Sequence, residues 1–102
     1  MRYHAYALKR PRHANRPYVL DLQNNLLAGL KSRLVAPLQR MDTVDRREII
    51  TDLMPVLRIG GVEYVLYLQE AAAYPVSGLA DAVCDFSPES ANLLNALDRL
   101  LG

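Results

Sequence analysis

Apolar and polar residues alternate through much of this chain and take up a helical spacing only near its end. Residues 2–8, RYHAYAL, set Tyr3, Ala5 and Ala7 on one face and His4, Tyr6 and Leu8 on the other. A period of two carrying aromatics predicts a strand. KRPRHANRP follows and reads as a loop, because its prolines interrupt either regular structure. Tyr18 to Gln23 is a second strand, and Asn24-Asn25 then offers turn chemistry. LLAGLK fits either a bulge out of a sheet or a short turn of helix. Arg33 to Leu38 predicts a third strand, with Pro37 marking an edge or a strand end.

RMDTVDRREIITD is the most charged segment and reads as a solvated loop with a short helical turn. MPVLRI and VEYVLYL are β-rich runs joined by Gly60-Gly61, which supplies the positive φ angles of a tight hairpin. EAAAYPVSGLADAV predicts an irregular crossover, strand-like at PVS and with a helical turn around LADA, since Pro75 and Gly78 oppose one continuous helix. The closing SPESANLLNALDRLLG predicts a helix over about 88–101. Ser87 can cap it, Pro88 suits its first turn and Glu89 its positive end. Leu93, Leu94, Leu97, Leu100 and Leu101 share one arc, with Asn92, Asn95 and Arg99 opposite. A stripe that runs to the last turn either packs into its own domain or meets another chain.

Strands first, a central hairpin and one late helix predict a mainly β fold: a strongly bent antiparallel sheet or small barrel with the helix beside it. At 102 residues a single domain is expected, and 51% apolar with 23% charged residues is the composition of a folded globular chain. A net charge of +1 gives no general field for gripping nucleic acid or anionic lipid. The lone Cys84 allows no internal disulfide, fits a reducing cytoplasm, and reads as a small apolar residue rather than a nucleophile. No run is long enough to span a membrane, and the N-terminus lacks a signal peptide's apolar region, so a cytoplasmic protein is expected.

Catalytic and metal motifs do not emerge. Gly60-Gly61 has no Lys-Ser/Thr entering a helix behind it, so it is no phosphate loop. The histidines and the cysteine lack ligand spacing, and no cofactor is implied. Asp81, Asp85 and Glu89 read as helix-end and loop charges. The cationic loop Lys9, Arg10, Arg12, His13 and Arg16 is the best candidate for meeting something negative, though as a nucleic-acid signature it lacks interleaved aromatics. An acidic peptide would suit it equally.

The ordered set of motifs resembles the CcdB family, the toxin half of plasmid-maintenance toxin–antitoxin modules. DLMPVLRIGGVEYVLYL matches the family's leucine–x–proline–valine and isoleucine–glycine at the hairpin. PVS at 75–77, DFS at 85–87 and Asn95-Ala96-Leu97 follow in order. Lys9-Arg10, Val19 with Asp21-Leu22-Gln23, Leu26-Leu27 and Leu34-Val35-Ala36-Pro37-Leu38 precede them at nearly family spacing. The resemblance implies one toxin domain over 1–102, an SH3-like barrel of the CcdB/MazF type, a homodimer and no cofactor. It also implies two partners: the A subunit of DNA gyrase, and a CcdA-like antitoxin whose disordered acidic tail folds onto the dimer.

Carried over by position, the gyrase contact falls on Leu26, Leu27, Asp98, Leu101 and Gly102, and the dimer contact on Leu97, Leu100 and Leu101. The antitoxin would meet Lys9, Arg10, Arg12 and Arg16. Gly102 stands where the family's gyrase poison has its terminal tryptophan, so the resemblance does not extend to poisoning through that side chain. The family's asparagine at this surface is Asp98 here, and the neighbouring apolar position is Arg99. Two other readings remain open: an antitoxin-binding remnant without toxicity, and a MazF-like ribonuclease using Arg10, Arg12, His13 or His4, against which the missing arginine–glycine–aspartate strand signature counts.

Overall fold

The computed structural model describes residues 1–23 and 29–102. Among these residues, seven strands are followed by one α-helix: β1 (His4–Leu8), β2 (Tyr18–Asp21), β3 (Ser32–Arg40), β4 (Val56–Ile59), β5 (Val62–Leu66), β6 (Ala72–Pro75), β7 (Leu79–Asp85) and α1 (Ser90–Leu101). They form one antiparallel sheet in the order β4-β5-β3-β2-β1-β7, with β6 also on β3. The result is a strongly curled half-barrel closed at one side by the helix, as the hydrophobic pattern predicts.

The nine-residue β3 makes the curl. Its first half pairs with β6 (Leu34 opposite Ala73) and its second half with β5 (Leu38 opposite Leu66), while β2 runs along its other edge. Pro37 is therefore interior, not at an edge or strand end. It is tolerated because it lies where β3 changes neighbour. Its carbonyl accepts from Tyr67 N–H at 3.0 Å on that side, so the missing N–H faces the same gap and costs no ladder bond with β2.

Gly60 and Gly61 form the predicted two-residue hairpin turn between Ile59 and Val62, with φ of +58° and +80°. Both faces of β5 are covered, which explains its nearly continuous apolar run. Tyr64 and Leu66 enter the main core with Ala5, Leu20, Ala36, Leu38, Leu68, Phe86, Leu93 and Ala96. Val65 packs on the other face with Met54 and Tyr67, above Met41, Val44 and Ile49 from the charged segment and Leu53 just after it. That segment carries 3-10 turns at Met41–Thr43 and Arg46–Glu48, close to expectation.

Other expectations are corrected as well. LADA is not helical: it begins β7, held by pairing with β1 through irregular register. PVS is not a strand, for β6 ends at Pro75 and Val76–Gly78 is a 3-10 turn. Ser87 does not cap the helix. Instead Asp85 Oδ1 accepts from Ser87 N–H (2.8 Å) and Oγ–H (2.6 Å), and a 3-10 turn at Ser87–Glu89 leads into α1. Those two donors hold the Asp85 carboxyl below its ordinary range, Ser87 Oγ–H most. The second strand also stops at Asp21, short of Gln23.

Candidate functional site

Two surfaces gather the residues singled out from sequence. The first is the outer side of α1. Leu93 and Ala96 are buried and Leu97 packs partly against the core, so half of the apolar arc is used inside the chain. The other half is not: Leu94 is 48% exposed and Leu101 83%, with Leu100 also at the surface. Asp98 and Gly102 stand beside them at the helix end, where Gly102 N–H donates to the Asp98 carbonyl at 3.0 Å. Arg99 points away from this stripe, 3.3 Å from Asp52, and ties the last turn to the 51–55 connection. Leu26 and Leu27 lie outside the described residues.

The second surface is the cationic loop between β1 and β2. It is anchored at its start by Lys9 N–H to the Gly78 carbonyl (3.0 Å) and near its end by Arg40 N–H to the Asn15 carbonyl (2.8 Å). Under it lies a groove of about 490 Å³, with Arg10, Arg12 and His13 on its rim and Val19, Val35, Pro37 and Tyr74 among its lining. Val19 and Val35 lie outside the main core cluster and are only 5% and 4% exposed, so they form the floor of this groove. Among the described residues, Lys9, Arg10, Arg12 and His13 form no ion pair or side-chain hydrogen bond, and all four are exposed.

Arg16 is different from its neighbours. Its Nε donates to Gln39 Oε1 at 2.8 Å, and its Nη1 and Nη2 donate to the two Glu70 oxygens at 2.8 and 3.2 Å. The guanidinium lies 4.7 Å from the centre of the Tyr67 ring. This donated pair pulls Glu70 below the usual carboxylate range and raises Arg16 above its own ordinary value. The structure thus brings Arg10, Arg12 and His13 to one open rim, leaves Lys9 exposed at the start of the loop, and commits Arg16 to an internal clasp.

Of the two histidines, one joins that rim and the other lies apart from it. His13 lies on the loop, whereas His4 opens β1 with Nδ1 3.7 Å from Asp85. The four residue steps of β1 between His4 and Leu8 span about 13 Å. Cys84 is half-buried against the main core. Among the described residues, no helix is long and apolar enough to cross a membrane.

Sequence reasoning missed three features. Asp21, only 1% exposed, pairs with Arg33 at 2.7 Å and accepts Gln23 N–H at 2.9 Å, bracing the facing ends of β2 and β3. A charged residue inside an apolar strand was the available signal. Glu70 left none, because its partner is 54 positions away. Leu34 and Val76, both exposed, add apolar surface where β3 meets β6. Comparison with curated proteins gives no match. The family model described as CcdB protein matches residues 2–102, and on that coverage the chain belongs to the CcdB family of toxin–antitoxin toxins.

Proposed function

We propose that this chain is a toxin domain that acts as a homodimer through protein–protein contact, without catalysis or a cofactor. In this reading the A subunit of DNA gyrase is the family's target, and a CcdA-like antitoxin with an acidic tail neutralises the toxin in the cytoplasm. The observation that carries it is the divided helix: one flank of α1 is buried, while Leu94, Leu100 and Leu101 are left at the surface. Leu97, Leu100 and Leu101 form the self-association contact, and Leu101, Asp98 and Gly102 together with Leu26 and Leu27 meet the target. Two helix ends beside a two-fold axis double a small patch, and such patches concentrate binding energy in a few side chains. The exposed cations of the loop, Lys9, Arg10 and Arg12, favour an acidic antitoxin tail, with its apolar residues in the groove below.

Expression in a bacterium tests the toxin reading. Growth arrest relieved by co-expression of an acidic-tailed antitoxin supports it, and unimpaired growth counts against it. Purified gyrase then tests the target: supercoiling is inhibited or cleaved DNA accumulates, and Leu101→Asp abolishes the effect. Growth arrest with RNA cleavage that is lost on mutating His13 and Arg12 would instead establish the ribonuclease.

A further inference from the structure

We infer that Glu70 and Arg16 are positioning residues for the docking of an acidic peptide at the cationic loop, and that Arg16 itself makes no contact with that peptide. The inference rests on the docking reading above and assigns a different task to one of its cations. Every edge of the Arg16 guanidinium that faces the protein is occupied: Nε by Gln39, Nη1 and Nη2 by Glu70, one face by Tyr67. A bidentate pair of this kind fixes direction as well as distance. The neighbouring backbone is held with it, since Leu8 N–H donates to the Pro17 carbonyl at 3.0 Å and Arg40 N–H to Asn15. Gln39 is in turn held by Thr43 Oγ1 at 3.1 Å, and the same oxygen accepts from Asn15 Nδ2 at 3.3 Å.

The clasp therefore closes the loop onto β3 and the turn before β6. Arg10, Arg12 and His13 are left projecting over the groove. The paired Arg16 and Glu70 form part of its wall, with the Arg16 donors already taken. The charge of Glu70 repels an acidic ligand, so simple electrostatics and positioning predict opposite effects when that charge is removed. A peptide alternating Glu with Leu or Val suits the site, its carboxylates on the rim and its apolar residues against Ala72, Ala73 and Tyr74. Holding the rim in place before binding spares the ordering cost at the moment of binding.

The test uses the full chain, a synthetic peptide of alternating Glu and Leu, and calorimetric titration at several salt concentrations. Glu70→Gln is expected to weaken binding about tenfold, the scale of losing one preorganised contact group. The salt dependence should not flatten, because every cation that touches the peptide is kept and a repelling charge is lost. Arg16→Lys, which keeps the charge but loses the fork, should behave like Glu70→Gln. Arg12→Gln should flatten the salt dependence. Hydrogen exchange of residues 9–16 should quicken in Glu70→Gln while that of β3 and β5 does not. Tighter binding by Glu70→Gln with steeper salt dependence would mean that Arg16 is a contact, and would overturn the inference, as would unchanged affinity. If the unaltered chain does not bind the peptide, the docking reading fails; quickened exchange in Glu70→Gln would then still separate a real clasp from a failed partner.

Discussion

A side chain's task in this protein depends less on its type than on what lies within reach of it. Arg12 and Arg16 sit in one loop, yet the first is open to solvent and the second is locked to Glu70. The clasp has a consequence for acid. Glu70 is held below its ordinary value, so the folded state gains from the ionised carboxylate above the unfolded range. That gain disappears as pH falls through the folded value, which lies below the ordinary glutamate value of about 4.3. At 45% exposure for the Glu70 side chain the effect on global stability is small, and the loop is where it will be felt. Carboxyl-resolved NMR should give a Glu70 midpoint below that of a model glutamate. In Arg16→Gln the midpoint should move up toward the ordinary value, and no movement would mean that the pair is not formed in solution.

Strands and helix were legible where local chemistry and tertiary pairing ask for the same thing. The β4–β5 hairpin is the clearest example, because both residues of its turn sit at positive φ and both are glycine. Gly61→Ala puts a Cβ into that left-handed conformation and should cost about 1 kcal/mol, read as a lower urea midpoint with an unchanged slope. A shift of the midpoint within error would show that the turn relaxes to another type. β7 was illegible for the opposite reason. LADAVCD is mostly exposed and shows no clean alternation, and its strand is imposed by β1 through irregular register. Pro37 misled because a proline usually marks an edge, whereas here a long strand changes partner beside it. The candidate surfaces were half legible. The cationic loop and the leucine arc could be read from spacing, but which leucines turn inward could not, since that depends on where the sheet lies. The Arg16–Glu70 pair could not be read at all, because two charges so far apart along the chain carry no local mark of each other.

For the molecule as a whole, the question is whether the outer flank of α1 is covered in solution by a second copy. A stable isologous contact stabilises the folded state by mass action, so the thermal midpoint must rise with protein concentration. Leu101 is 83% exposed, so replacing it should leave the isolated chain's stability within about 0.5 kcal/mol. Leu101→Asp is therefore expected to unfold at the same temperature at every concentration and to sediment as one chain. Leu93→Ala is the control, because its side chain is fully buried within the chain. It should lose about 2–5 kcal/mol and melt lower throughout, while its midpoint keeps rising with concentration. The two variants thus separate a leucine that holds the fold from a leucine that holds the partner, although they lie on the same arc of one helix. If the unaltered chain melts at one temperature from dilute to concentrated solution and sediments at a single-chain mass, the outer leucines do not mediate self-association. The target contact would then have to be made by one copy alone.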